Sequence, residues 1–186
     1  MANILQLKIT LQDVKPPIWR KFLVNDSWTF DRLHKIVQKV MGWSDYHLYQ
    51  FEFGDTKIIP PDEGYLEENE LDPKKVKIST FLTKEKQKCG YVYDFGDTWE
   101  HEIIVEKIIF DKLEGVKKYP ECIGGERACP PEDCGGTGGY ERILEVLKTG
   151  KDPWGENVQE LKKWLGKWNP EEFDINKINK MLMRGI

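Results

Sequence analysis

The first 25 residues alternate apolar and polar side chains in a way that predicts two β-strands. In ILQLKITLQ an apolar residue stands at every second position, the pattern of a strand with one buried face. The following DVKPP interrupts the strand, because proline has no N–H to donate to a sheet. IWRKFLVN then predicts the partner strand, so we expect the chain to open with a β-hairpin.

A helix and a further strand are predicted next. In SWTFDRLHKIVQKVMGW the apolar residues recur every three or four positions. Ser27 or Thr29 can cap the start of this helix, and Gly42 can end it in the left-handed conformation. HLYQFEFG alternates again and predicts a strand.

A second hairpin is predicted from CGYVYDFGDTWEHEIIVEKII, whose two halves alternate on either side of a Gly-Asp turn. Side chains two positions apart share one face of a strand, so Trp99, His101, Ile103 and Val105 point the same way. We expect Trp99, Ile103 and Val105 in the core, with the intervening glutamates on the solvated face.

Loops are predicted in the middle of the chain and helices at its end. PPDEGYLEENELDPKK is acidic and rich in proline, which predicts a solvated loop before a short helix near Ser79. Residues 111–139 are rich in glycine, proline and cysteine and predict a long ordered loop. Helical spacing follows in GYERILEVLKTG, ENVQELKKWLGKW and DINKINKMLMRG. The apolar stripe of the first of these is Tyr140, Ile143, Leu144 and Leu147.

This order of elements predicts one α+β domain over residues 1–186. The sheet should be mixed or mainly antiparallel and built from hairpins, with helices concentrated in the C-terminal third. The 186 residues are 39% apolar and 32% charged, an ordinary balance for a globular protein.

Composition narrows the partners and the location. With 28 basic and 32 acidic residues the chain has a slight excess of negative charge, unlike a generally basic nucleic-acid binder. A local basic face is still compatible with this composition. The N-terminus lacks the pattern of a signal peptide, and no apolar run approaches the roughly 20 residues of a membrane helix. We expect a cytoplasmic protein without membrane contact, in which the four cysteines are thiols or ligands rather than disulfides.

The turn of the second hairpin concentrates candidate chemistry. YDFGDTWEH holds Asp94, Asp97 and His101 within a few residues. In one interpretation Asp97, beside Gly96, only serves the turn through its carboxylate. In the other, the two aspartates and His101 converge as metal ligands or as an acid–base set, since oxygen and imidazole donors suit several divalent metals.

The cysteine segment CIGGERACPPEDCGG is a candidate zinc site. Cys122, Cys129 and Cys134 are separated by six and by four residues, and only the second interval is close to that of zinc knuckles. Folding would have to bring His101 or Cys89 to the site as the fourth ligand. Alternatively, Cys122 and Cys129 are small buried groups under a loop. A third hypothesis makes Cys134 a nucleophile with His101 as its base.

The glycines that follow raise a further pair of alternatives. GGTGGYERILEVL places Gly135 and Gly136 before a helix, where free N–H groups and the helix dipole can hold an anion. Glu132 and Asp133 would repel that anion at close range. The other interpretation is that the glycines let a tight loop pack closely.

Seven segments together resemble one family, the plasmid pRiA4b ORF-3-like proteins, which are also met as passenger genes of mobile elements. They are IWRKFLV, LHKIVQKVMGW, HLYQFEF, YVYDFGDTWEHEI, CIGGERACPPEDCGG, GGYERILEVL and FDINKIN. The likeness covers nearly the whole chain and implies one α+β domain. It implies no reaction, and a DNA-related role only by association. The family often has His-Leu-His where this chain has His47-Leu48-Tyr49, which weakens the case for a metal ligand there.

We therefore predict a binding or accessory module, with a protein or DNA partner, whose ligand surface is formed by the hairpin 93–101 and the loop 122–139. The alternative is a metal-assisted hydrolase that uses His101 and nearby carboxylates. The candidates for the ligand surface are Asp94, Asp97, Trp99, His101, Glu132, Asp133, Gly135 and Gly136. The candidates for a divalent metal such as zinc are Cys122, Cys129, Cys134 and His101.

Overall fold

The computed structural model describes residues 2–110 and 120–185. Within them lies an eight-stranded sheet in the order β5-β4-β3-β6-β7-β1-β2-β8. All neighbouring strands are antiparallel except β4 and β5. The strands are β1 Asn3–Leu11, β2 Trp19–Asn25, β3 Tyr49–Phe53, β4 Thr56–Ile58, β5 Glu70–Leu71, β6 Lys88–Tyr93, β7 Trp99–Phe110 and β8 Glu121–Glu126. The helices are α1 Phe30–Met41, α2 Gly136–Thr149, α3 Val158–Leu165 and α4 Ile175–Met183, with a short 3-10 turn at Ile78–Thr80.

The predicted fold class is confirmed. The chain is α+β, its sheet is mainly antiparallel and is built around the two predicted hairpins, and three of the four described α-helices lie after residue 135. None of the helices in the described ranges is long and apolar enough to cross a membrane.

The centre of the sheet follows from the alternation of the strands. Leu7 of β1 stands opposite Phe22 of β2 and Val105 of β7, and all three are fully buried. Residues between them on β1, such as Lys8, face the other side and are half-buried. Burying one face of every central strand fixes the register, because a slip by one residue would expose the whole apolar row.

Helix α1 covers the buried face of the sheet with the ends that its sequence predicts. The Thr29 side chain accepts the N–H of Arg32 at 3.3 Å, which caps the first turn. Gly42 ends the helix with φ +102°, a conformation in which other residues are strained. Phe30 packs edge-on against Phe51 of β3 with ring centroids 5.0 Å apart, which joins the helix to the sheet.

The prediction of a loop over residues 111–139 was wrong at residues 121–126, which form a strand, and from Gly136 onward, where a helix begins. Residues 127–135 have no regular secondary structure, as predicted, and residues 111–119 lie outside the described residues. Residues Glu121–Glu126 form β8, which pairs with the outer edge of β2. The glycines allow this strand to lie close to its neighbours. A Cβ on Gly125 would stand 2.5 Å from the Phe173 ring. Pairing with an exposed edge therefore outweighs the low strand propensity of glycine.

The helical third also differs in detail from its predicted pattern. Helix α2 begins at Gly136 rather than after the glycines. Tyr140 and Ile143 are buried as predicted, whereas Leu147 is 40% exposed and Val146 takes the inward position. Elsewhere, the predicted acidic loop contains β5, which extends the sheet beyond β4.

Candidate metal centre

The turn between β6 and β7 is built by Asp94. This residue adopts φ +56°, and its Oδ1 accepts the N–H groups of Gly96 at 3.0 Å and of Asp97 at 3.3 Å. An aspartate that accepts N–H groups two and three residues ahead is an ordinary turn device. The motif is therefore a hairpin turn, but the carboxylate that serves it is that of Asp94 and not that of Asp97 as predicted. Oδ2 of Asp94 stays available for a second role.

The loop after β8 is fastened to this hairpin. Tyr93 donates its hydroxyl proton to Oε1 of Glu132 at 2.6 Å, and Oδ2 of Asp97 accepts the N–H of Gly135 at 3.1 Å. A Cβ on Gly136 would stand 2.7 Å from the carbonyl oxygen of Asp97, so only glycine allows this approach. The hairpin and the loop therefore contact each other directly.

A third segment, residues 43–48 between α1 and β3, joins the same place. Trp43 donates its indole N–H to the carbonyl oxygen of Pro130 at 3.1 Å. The N–H of Ser44 points at the Glu132 carboxylate, at 3.1 and 3.2 Å from its two oxygens. The N–H of Tyr46 donates to the Tyr93 hydroxyl oxygen at 3.2 Å. These contacts bring His47 to the junction of hairpin and loop.

One imidazole and two carboxylates converge at this junction. Nε2 of His47 lies 3.6 Å from Oδ2 of Asp94 and 3.3 Å from Oδ1 of Asp133, and the three potential ligand atoms all lie within 4.8 Å of one another. Asp94 is buried, the His47 side chain is 28% exposed and that of Asp133 is 74% exposed. The group is therefore anchored to the protein interior through Asp94 and open to solvent at Asp133.

His101 lies elsewhere, in the core. It is 3% exposed, its Nδ1 donates to the carbonyl oxygen of Tyr91 at 3.2 Å, and its ring packs edge-on against Trp43. Trp99 is 1% exposed, as predicted for a core residue. Neither side chain reaches the surface that the hairpin and the loop form, so the ligand-surface candidates at the junction are Asp94, Asp97, Glu132, Asp133, Gly135 and Gly136.

The cysteines do not gather around His101. In the described ranges, the group of at least three potential metal ligands is His47, Asp94 and Asp133. Cys129 lies against Met41, and the thiols of Cys122 and Cys134 face nearby carbonyl oxygens. Burial raises the pKa of Cys129 to about 11 and, with help from the Asp97 carboxylate, that of Cys134 to about 12. Thiols that stay protonated are poor ligands and poor nucleophiles.

The protein itself supplies a carboxylate at the N-terminus of α2. Gly135 precedes the helix with φ +91° and gives its N–H to Asp97. A carboxylate at the positive end of the helix dipole is favourable. An external anion at this end would also meet the charges of Glu132 and Asp133.

His47 is the site residue that sequence reasoning missed. Its position follows from strand pairing, since Tyr49 of β3 stands opposite Tyr93 of β6 in an antiparallel register. His47, two residues before Tyr49, therefore lies level with Phe95, two residues after Tyr93 and next to the turn. This signal becomes readable only when β3 and β6 are known to be neighbours.

Acid is expected to destabilise the protein through His101. Burial lowers the pKa of His101 to about 4, against about 6.5 in an unfolded chain. Between these values the unfolded chain binds more protons than the folded one, so the free energy of unfolding falls as the pH drops from about 6.5 to about 4. Above 6.5 both states are neutral, and below 4 both are protonated, so this contribution is constant outside the window.

Urea unfolding of the wild type and of His101→Asn tests this expectation. The asparagine keeps an N–H for the Tyr91 carbonyl but cannot take up a proton. The advantage of the wild type over the variant should shrink by about 2 kcal/mol between pH 7 and pH 4.5. An advantage that stays constant over this range would show that burial does not lower the pKa of His101 in the folded protein.

Comparison with known proteins agrees with the fold and names the family. The model of the plasmid pRiA4b ORF-3-like protein family matches residues 3–177. The chain is 34% identical over 167 residues to the uncharacterized protein y4hQ of Sinorhizobium fredii, which covers 89% of this chain and 82% of that protein. It is similar to the crystal structure of MM3350, a protein of unknown function from Methanosarcina mazei Go1, with a TM-score of 0.81, 39% identity and coverage of 95% and 97% of the two chains. The chain belongs to the plasmid pRiA4b ORF-3-like family.

Proposed function

We propose that this protein is a binding module that holds a divalent metal ion at His47, Asp94 and Asp133. The observation that carries the proposal is the convergence of three ligand atoms within 4.8 Å, from three segments that are far apart in the chain. One imidazole and two carboxylates form a donor set that suits zinc, manganese or iron. This site replaces the cysteines and His101 as the candidate metal ligands.

The distances support an ion of this kind. Ligand atoms about 2.1 Å from a tetrahedral zinc ion stand roughly 3.4 Å from one another. Nε2 of His47 lies 3.3 Å and 3.6 Å from the two carboxylates, so these ligand pairs are already near that spacing. The ligand oxygens of Asp94 and Asp133 lie within 4.8 Å of each other, so this is the pair that would have to approach if the ion is to bind.

The charge around the site also favours a cation. Residues 43–48, 93–98 and 130–137 contain five acidic residues and no lysine or arginine, and these segments lie at or beside the junction. They are Asp45, Asp94, Asp97, Glu132 and Asp133. Carboxylates held near one another repel unless a cation sits among them. The same charge disfavours a DNA backbone on this face.

The surface around the metal centre fits a protein partner better than DNA. Tyr46 and Leu48, on either side of His47, are 81% and 61% exposed, and Phe95, next to Asp94, is 42% exposed. Aromatic and aliphatic side chains exposed beside a polar site are typical of contact surfaces between proteins. We therefore assign the surface formed by residues 43–48, the hairpin turn 93–98 and the loop 127–135 to a protein ligand.

Metal-assisted hydrolysis is the second candidate function. Three protein ligands leave coordination positions for water and substrate, as in catalytic zinc sites. The buried His101 has no part in this version, and Asp97 is the neighbouring carboxylate that could take a proton from a metal-bound water. Hydrolysis of ester or amide substrates by the metal-loaded protein, lost in Asp97→Asn while metal binding is kept, would favour this candidate.

Removal of a ligand side chain is expected to abolish tight metal binding. Calorimetric titration of the metal-free protein with Mn²⁺ or Zn²⁺ should show one binding site per chain. Asp133→Asn and His47→Gln should each weaken binding at least about a hundredfold, because both remove a direct ligand. Asp133 is largely exposed, so its variant should fold normally.

Asp97→Asn is the matched control. It removes one negative charge from the same face but no ligand, and the amide oxygen can still accept the Gly135 N–H. It should weaken binding no more than about fivefold. Equal losses in the Asp97 and Asp133 variants would mean that general charge attracts the ion, and the assignment of ligands would then be wrong.

A further inference from the structure

A closed ring of hydrogen bonds lies directly beneath the segment that carries His47. Gln38 donates from Nε2 to the Tyr91 hydroxyl oxygen at 3.0 Å, and the hydroxyl lies 2.9 Å from Nδ1 of His34. Nε2 of His34 lies 2.6 Å from Oδ1 of Asp45. The N–H of Asp45 donates to Oε1 of Gln38 at 3.0 Å, which closes the ring. The ring joins α1, β6 and the segment 43–48.

The donor and acceptor roles around the ring are determined. Tyr91 accepts from Gln38, so its own proton is free to go to Nδ1 of His34. His34 must then carry its proton on Nε2, which donates to the Asp45 carboxylate. Tyr91, His34 and Gln38 are buried, whereas the Asp45 side chain is 44% exposed. The ring thus runs from the core to the surface.

This ring holds the backbone on both sides of His47. Asp45, two residues before His47, adopts φ +61°, which costs energy for a residue other than glycine. The carboxylate and the N–H of Asp45 are both used by the ring, and these contacts compensate for that conformation. Two residues after His47, Tyr49 stacks on the His34 ring with centroids 3.4 Å apart and an angle of 4°. His34 therefore contacts both flanks of the metal-binding segment.

We propose that His34 and Asp45 are positioning residues that set the place of His47 for metal binding. The inference rests on the proposed function of His47, Asp94 and Asp133 as a metal site. Residues 43–48 have no regular secondary structure, so ordering them costs conformational entropy that the ring recovers before the ion arrives. Groups beyond the ligands that fix ligand orientation typically change metal affinity 10- to 100-fold.

The test compares two substitutions at Asp45 by Mn²⁺ calorimetry. Asp45→Ala removes the acceptor of the His34 N–H, and we expect the affinity for Mn²⁺ to fall at least about tenfold. Asp45→Asn removes the same negative charge but keeps an oxygen acceptor, and it should recover most of the affinity. Equal losses in both variants would show that Asp45 acts through its charge alone and would overturn the inference.

Tyr91→Phe provides a second variant that leaves the surface charge unchanged. Without the hydroxyl, His34 loses the hydrogen bond to Nδ1 that favours its Nε2–H form, so the affinity for Mn²⁺ should again fall. Urea unfolding of the metal-free variant checks that it is folded. A folded Tyr91→Phe with wild-type affinity would contradict the inference. A wild type that binds neither Mn²⁺ nor Zn²⁺ would overturn the proposed function and this inference together. A wild type and an Asp45→Ala variant that bind the ion equally would overturn this inference alone.

Discussion

Trp99→Ala is expected to lower the free energy of unfolding by about 3–5 kcal/mol, the range for emptying a large buried aromatic site. Trp99 is 1% exposed and begins β7 at the centre of the sheet. Its ring packs against Trp43, with centroids 6.1 Å apart. In the described structure its indole N–H has no hydrogen-bond partner, so the loss comes from packing and not from a broken hydrogen bond.

Urea unfolding of Trp99→Ala beside Trp164→Ala measures this effect with a matched control. Trp164 of α3 is 52% exposed, and the same change there should cost less than about 1 kcal/mol. If the two variants lost similar stability, Trp99 would not be the core residue that the structure describes. Because Trp43 also donates to the Pro130 carbonyl oxygen, Trp99→Ala should disturb the candidate metal centre as well.

Gly139→Ala is expected to destabilise the protein, against the usual preference for alanine in a helix. Inside α2, alanine would normally gain about 0.5–1 kcal/mol over glycine. A Cβ on Gly139 would however stand 1.7 Å from the carbonyl oxygen of Cys134, which is backbone and cannot turn away. Moving the loop or the helix apart should cost about 2 kcal/mol or more.

The neighbouring glycine supplies the control for this prediction. A Cβ on Gly138 would meet nothing within 4 Å, so Gly138→Ala should raise the free energy of unfolding by about 0.5–1 kcal/mol. Thermal unfolding of the two variants should therefore shift the Tm in opposite directions. If both variants were more stable than the wild type, the close packing of the loop against α2 would not exist in solution.

The elements with a strong local period could be predicted from the sequence. The two hairpins and α1 follow from spacings of two and of three to four, with caps at Thr29 and Gly42, because burial of one face dictates both pattern and structure. Strand β8 could not be predicted this way. Its glycines carry no pattern, and its structure depends on the open edge of β2, which belongs to another part of the chain.

The residues of the candidate site likewise differ in whether the sequence could predict their positions. The sequence predicted that the hairpin and the loop share a surface with His101 among their carboxylates. The two segments do contact each other through Asp97, Glu132 and their partners, whereas His101 lies in the core. His101 was placed in an apolar row with Trp99, and that row is the buried face, so the alternation already indicated the core. His47 required the neighbouring positions of β3 and β6, a long-range fact that a single sequence does not display.

Under the proposed function, the separation of the three ligands along the chain would couple metal supply to the survival of the folded protein. His47, Asp94 and Asp133 meet only after α1, the hairpin and the loop have all docked, so an unfolded chain has no comparable site. Under the proposed function, an ion at a hundred times its dissociation constant would favour the folded state by about 2.7 kcal/mol, roughly a hundredfold fewer unfolded molecules. Proteases that act on unfolded chains would then remove the protein faster in metal-starved cells than in metal-replete ones.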